Sequence, residues 1–199
     1  MLVILLGMSS SGKDTVLHDL VNNKGFEPII STTTRPMREG EQAGVDYHFA
    51  SKEDFEKWIE EGLFLEYRSY NTLVDGVPDT WYYGSPKYDL DPKKNYAVVL
   101  DIQGAKDYIK YYGKENTIVV ELFVPDAIRE DRAKSRGSFD KTEWDRRLAD
   151  DKVKFSKEAT EGVVDVTICN ETLETTIKCV EEAILSLICA KIFIHYPHI

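Results

Sequence analysis

The sequence predicts an α/β fold with a mostly parallel central sheet flanked by helices. Short apolar runs alternate with amphipathic segments of helical length, the pattern of strands joined by crossover helices. The first run, Leu2 to Leu6, breaks into a glycine-rich turn and then a helical period of apolar residues at Val16, Leu17 and Leu20. The polar stretch at about 32–95 interrupts the alternation and reads as an insertion into a core of about 1–31 and 96–199.

After the first helix, Pro28 to Ser31 reads as a short strand. Arg35 to Tyr47, rich in charge, Gly and Pro, reads as a loop or irregular hairpin. A helix is expected from Ser51 to Glu61, with Ser51 as N-cap and Phe55, Trp58 and Ile59 on one face. Phe64 to Tyr70 alternates as a strand does. Asn71 to Tyr83 reads as turn, with Asp75-Gly76 and Pro78-Asp79 as breakers. Tyr96 to Ile102 is a buried strand, followed by a helix from Gln103 to Tyr112, and Thr117 to Val124 is another strand. Pro125-Asp126 opens a helix whose pattern breaks in the polar run Arg136 to Thr142, at Gly137. A helix from Glu143 to Thr160, a strand from Val163 to Cys169 and a helix from Leu173 to Ile188 follow.

A chain of 199 residues is enough for one domain with a substantial core. Its formal charge of −10 argues against nucleic acid or an anionic membrane as partner, although local arginine clusters can still bind a small anion. Cys169, Cys179 and Cys189 are too few and too late for a disulfide framework and point to a reducing, cytoplasmic setting. Leu2 to Leu6 is too short to span a membrane and has no basic flank.

Gly7-Met8-Ser9-Ser10-Ser11-Gly12-Lys13 fits the phosphate-binding P-loop pattern, which makes a nucleotide the expected ligand and phosphoryl transfer the expected chemistry. Glycine lets consecutive backbone N–H groups, here those of Ser9, Ser10 and Ser11, converge on a polyphosphate. The following helix turns its unpaired N–H groups and positive dipole end to the same place, and Lys13 adds a mobile charge. The plainer alternative is a glycine turn between strand and helix. Asp14 stands where the pattern asks for Ser or Thr. It is either a ligand of a hydrated metal or a solvated carboxylate at a helix N-terminus, and Thr15 then supplies the hydroxyl.

Downstream, Ser31-Thr32-Thr33-Thr34-Arg35-Pro36-Met37-Arg38-Glu39-Gly40-Glu41 leads to Gly44-Val45-Asp46-Tyr47-His48-Phe49. Arg35 and Arg38 offer planar forks for a second phosphate, Tyr47 a hydroxyl donor, and Glu41 a carboxylate that can orient an arginine. A solvated loop with internally paired charges is the alternative. This segment resembles the guanylate kinase family, whose gapless pattern from the serine-threonine run through Asp-Tyr-x-Phe it matches. The resemblance continues through Phe64-Leu65-Glu66-Tyr67, Tyr83-Gly84-Ser85, Leu100-Asp101-Ile102-Gln103-Gly104-Ala105-Lys106 and Arg132 to Leu148, and ends near Asn170.

The resemblance implies a P-loop NTPase fold with an inserted monophosphate-binding subdomain and a helical lid at about 132–150. It implies transfer of the γ-phosphoryl group of ATP to GMP or dGMP, with Mg2+. Arg35, Arg38, Tyr47 and Tyr83 would hold the GMP phosphate, with Glu41 beside them. Ser31, Glu66 and Ser85 would read guanine, whose adjacent ring N–H and amino donors suit one carboxylate. Arg132 and Asn170 would border ATP, while Lys13, Arg136 and Arg147 would stabilise charge in the transfer. For these arginines a helix-surface salt bridge is the alternative, and it is the preferred reading for Arg146. Asp101, also on the acceptor side, would join Thr15 in holding hydrated Mg2+, or cap the next helix, or do both.

The chain departs from the family after Asp101, where two residues, including a second aspartate, are missing. It is also longer between Glu66 and Tyr83, where Trp81 and Tyr82 lie. Both changes fall on the acceptor side. The apolar tail Cys189 to Ile199 is expected to pack on the body or on a second subunit, as monomer or homodimer. Two rivals stay open: a kinase for another nucleoside monophosphate, and a non-catalytic guanylate kinase-like interaction module.

Overall fold

The computed structural model of the chain describes residues 1–74, 77–135 and 139–195. Its elements run β1 (Leu2–Leu6), α1 (Lys13–Lys24), β2 (Glu27–Pro28), β3 (Thr32–Thr33), β4 (His48–Phe49), α2 (Lys52–Glu60), β5 (Phe64–Val74), β6 (Val77–Pro86), β7 (Tyr96–Val99), α3 (Ile102–Tyr112), β8 (Thr117–Phe123), α4 (Asp126–Lys134), α5 (Lys141–Lys154), α6 (Lys157–Thr160), β9 (Val166–Cys169) and α7 (Leu173–His195). They fall into two compact units, Met1–Glu27 with Pro92–Ile199, and Pro28–Asp91.

The first unit holds a five-stranded sheet in the order β2-β7-β1-β8-β9. β1 runs parallel to β7 and β8, and β8 parallel to β9. Every residue of β1 is buried, as a strand covered on both faces requires, and this is why it reads as a continuous apolar run. Val3 and Leu5 pack with Val16 and Leu20 of α1, Val120 of β8 and Val180 of α7, all fully buried. Each such aliphatic side chain contributes about 1.5–3 kcal/mol relative to exposure. Leu5 pairs with Val99, so the residues that follow the two strands leave the sheet at the same carboxyl edge. That edge is where open α/β sheets place ligands. No helix among the described residues is long and apolar enough to cross a membrane.

The second unit holds a four-stranded sheet, β4-β3-β6-β5, with α2 beside it. Ser51 caps α2 by accepting from the Asp54 N–H at 3.0 Å. Phe55 is fully buried and stacks on Phe64 at 4.5 Å and on Tyr82 at 5.4 Å between centroids. Gly84 is required here because a Cβ would come within 2.8 Å of both Phe55 and Phe64.

Several sequence expectations need correction. Asn71 to Tyr83 is not a turn: residues 71–74 belong to β5 and 77–83 to β6, paired from Glu66↔Ser85 to Val74↔Val77. Pro78 is tolerated because β3 pairs only with Tyr83 and Gly84, so Pro78 lies where β6 needs no ladder on its other side. Asp79 is held by the indole N–H of Trp81 at 3.1 Å and by Lys52. Of the expected strand Pro28 to Ser31 only Pro28 is in a strand, as the last residue of β2, and β3 begins beyond it at Thr32. The helix expected over 143–160 breaks after Lys154, where Ser156 caps a new turn through the Ala159 N–H. The final helix runs past Ile188 to His195.

Candidate active site

The glycine turn after β1 is shaped by what surrounds it. A Cβ on Gly7 would lie 2.7 Å from the Leu122 carbonyl, and one on Gly12 would lie 2.6 Å from Asn170 Nδ2. Gly12 also has φ 88°, a left-handed conformation that glycine adopts without strain. Ser10 takes φ 60°, and the Ser11 N–H donates to the Met8 carbonyl at 3.2 Å. Ser11 is buried, while Ser9 and Ser10 are half-buried. The Lys13 ammonium lies over the loop, donating to the carbonyls of Gly7 at 2.8 Å and Met8 at 3.2 Å. Asp14 and Thr15 lie in the first turn of α1 and are exposed, the setting of a solvated carboxylate at a helix N-terminus.

The loop is braced from two directions. The buried Asn170 amide donates to the Ser11 carbonyl at 2.6 Å and accepts from the Thr176 hydroxyl at 2.8 Å. Its side chain is therefore engaged in holding the loop, a role the sequence does not signal. Arg132 Nη2 donates to the carbonyls of Asn170 at 2.9 Å and Glu171 at 3.3 Å, and its Nη1 lies 3.7 Å from where a Gly12 Cβ would be. The other brace is formed by two residues that the sequence does not single out. Arg129 of α4 is fully buried and donates to the Ser9 carbonyl at 3.0 Å, while Asp151 of α5 accepts from the Ser9 N–H at 2.7 Å.

Arg147 and Arg146 share one partner on α5. Arg147 Nε donates to Glu143 Oε1 at 2.7 Å, and Arg146 Nε to Glu143 Oε2 at 2.8 Å. Arg146 and Arg147 thus each make a helix-surface salt bridge, with Glu143 rather than with Asp131, Asp145 or Asp150. Arg136 lies outside the described residues. Burial raises the Glu143 carboxyl pKa, but the hydrogen bonds from Arg146 and Arg147 outweigh it and bring the group down to about 2. A depressed carboxyl adds stability that is fully present above its unfolded value near 4.5 and is lost as pH falls toward about 2. Glu143→Gln should therefore lie below the wild type in urea midpoint above pH 4.5 and converge with it near pH 2.

Asp101 follows β7 and caps α3, its Oδ1 accepting from the Gly104 N–H at 2.7 Å. Among the described residues no group of three or more His, Cys, Asp or Glu side chains is arranged to hold a metal. The donor set of Thr15 and Asp101 nevertheless fits Mg2+. Both offer hard oxygen, and this ion takes most of its ligands from water and phosphate rather than from a protein cage.

The second unit gathers most of the remaining candidates. Arg35 is buried and paired with Glu41 through two parallel bonds, Nη1 to Oε2 at 2.7 Å and Nη2 to Oε1 at 2.6 Å. Burial lowers the guanidinium pKa, but the Glu41 bonds more than offset it, and it stays fully charged. Glu41 also accepts from the Arg38 backbone N–H at 2.7 Å, and Arg38 itself is half-buried. The Arg35 guanidinium lies 4.9 Å from the Tyr47 ring, and Tyr47 meets Tyr83 edge-on at 6.1 Å. Arg35, Tyr47 and Tyr83 thus form one cationic, hydroxyl-bearing cluster. In the same unit Ser31 Oγ and Ser85 Oγ are 2.9 Å apart, and Ser85 pairs across the ladder with Glu66. Glu66 is buried, with Arg68 Nη1 3.9 Å from its Oε2. Asp101, also expected on the acceptor side, belongs to the other unit.

The model of the guanylate kinase family matches residues 1–187. The chain belongs to the guanylate kinase family. It is 32% identical over 198 residues to a guanylate kinase of Chlorobium luteolum, covering 96% of this chain and 93% of that one. It is 40% identical over 126 residues to a guanylate kinase of Clostridium tetani, a match of 61% of this chain that spans only 56% of the relative's length. A crystal structure of guanylate kinase from Anaplasma phagocytophilum matches with a TM-score of 0.63 at 25% identity, over 92% of this chain and 85% of that one. The segment that carries the guanylate kinase resemblance, Ser31 to Phe49, includes Arg35, Glu41 and Tyr47.

Proposed function

We propose that this guanylate kinase family member transfers the γ-phosphoryl group of ATP to GMP, giving ADP and GDP. The observation that carries this reading is the buried carboxylate of Glu66 paired across the ladder with Ser85, itself bonded to Ser31. Guanine offers a ring N–H and an amino group side by side. One carboxylate can accept from both, and adenine has no such donor pair.

In this reading Arg35, Arg38, Tyr47 and Tyr83 hold the acceptor phosphate, with Glu41 orienting Arg35. The loop Gly7 to Thr15 holds the ATP phosphates through its backbone N–H groups, apart from that of Ser9, which Asp151 takes, with Arg132 and Asn170 at its border. An acceptor phosphate oxygen attacks the γ-phosphorus in line, and the bond to the β,γ-bridging oxygen breaks, so ADP leaves with that electron pair. The acceptor phosphate is ionised near neutral pH, so no general base is required. Lys13, Arg136 and Arg147 offset the charge on the moving group. Mg2+, held through water by Thr15 and Asp101, would neutralise charge on the β- and γ-phosphates. Residues 32–95 serve as the monophosphate-binding insertion and 132–150 as the lid. The enzyme acts on free nucleotides in the cytoplasm, as a monomer or homodimer.

The test is direct. With ATP, GMP and Mg2+, ion-exchange chromatography should show ADP and GDP rising in equal amounts. ADP without GDP, or neither product, would overturn the proposal.

A further inference from the structure

We propose that Arg129 and Asp151 are positioning residues that fix the P-loop backbone at Ser9 in the shape the ATP phosphates need. This rests on the reading of the loop as the ATP site. Both peptide groups of Ser9 are held: its N–H donates to Asp151 Oδ2 at 2.7 Å, and its carbonyl accepts from Arg129 Nη1 at 3.0 Å. The same Nη1 lies 3.3 Å from the same Asp151 oxygen, closing a three-membered ring of contacts. Ser10 comes next, with φ 60°, a conformation that a residue with a side chain keeps only when its surroundings enforce it.

The pair is itself held rigidly. Arg129 is 0% exposed, its Nη2 donates to Asp126 Oδ1 at 2.7 Å, and its guanidinium lies 5.6 Å from the Trp144 ring. Asp126 in turn faces Lys152 at 3.2 Å. A buried ion pair is a poor device for stability alone, since apolar residues of similar volume serve as well or better. What apolar residues cannot do is bond the two peptide groups that flank Ser9. A loop already in its binding shape loses less entropy and reorganises less when phosphate arrives. The two residues also lie on α4 and α5, the helices that carry Arg132 and Arg147, so loop and helices share one set of bonds.

The experiment compares wild type, Asp151→Asn and the double variant Arg129→Met with Asp151→Ala, using calorimetry for ATP and GMP affinity and thermal midpoints for stability. The double variant should keep a midpoint near the wild type while its Kd for ATP rises about tenfold, the loss expected when two hydrogen bonds that order the site are removed. Asp151→Asn, which keeps an acceptor for the Ser9 N–H but loses the charge, should raise the ATP Kd about threefold without needing the double variant to fold. GMP affinity should stay within about twofold in both. An unchanged ATP Kd in either folded variant, or equal loss for both nucleotides, overturns the proposal. A wild type that binds ATP but makes no GDP overturns the transfer reading and leaves this comparison intact.

Discussion

Lys13→Ala is expected to lower kcat by roughly a thousandfold, the scale of removing one charge aimed at a transferring phosphoryl group. The ammonium lies over the loop, bonded to the Gly7 and Met8 carbonyls, beside the backbone to which the proposed function assigns the ATP phosphates. Losing those two bonds costs only about 1 kcal/mol each in stability, because each exchanges with water. The variant should therefore fold with a modestly lower thermal midpoint and a kcat loss far larger than any change in ATP affinity. Steady-state kinetics with a melting curve on the same preparation separates the two. Wild-type-like turnover would refute the P-loop role given to Lys13.

The second large effect is expected at Glu66. Glu66→Gln keeps the shape of the side chain but replaces one acceptor oxygen with a donor NH2, which then faces one of the two guanine donors. An unsatisfied buried donor costs about 1–3 kcal/mol, so kcat/KM for GMP should fall by about ten- to a hundredfold while KM for ATP stays near its wild-type value. Arg68 Nη1 is 3.9 Å from Glu66 Oε2, beyond direct hydrogen-bond distance. Should GMP kinetics be unchanged in Glu66→Gln, the carboxylate does not read the base.

Some of this was legible from the chain because local chemistry and tertiary context agree. Leu2 to Leu6 is apolar at every position because both its faces are covered, and Gly7 and Gly12 sit where any Cβ would strike Leu122 or Asn170. Ser51 and Asp101 each bond the N–H three residues on, as their residue types suggest. The errors come where neighbours override local preference. Pro78-Asp79 reads as a breaker, yet pairing along β5 and β6 and the bonds to Trp81 and Lys52 keep it in a strand. On α4 the apolar Ile128 is 37% exposed and the charged Arg129 fully buried, the reverse of what amphipathic patterning expects. Only the i,i+3 spacing of Asp126 and Arg129 hints at the pair, and its partners Ser9 and Asp151 are distant in sequence. Asn170 is also hidden from sequence logic, since its amide bonds a carbonyl at the other end of the chain.

In the proposed function Glu66, Ser31 and Ser85 select guanine. That selection is read from kcat/KM for GMP, dGMP, AMP and dTMP, each with saturating ATP and Mg2+. A site built to bond the guanine donors should favour GMP over AMP and dTMP by at least about a hundredfold. Turnover of AMP or dTMP above that of GMP would contradict it.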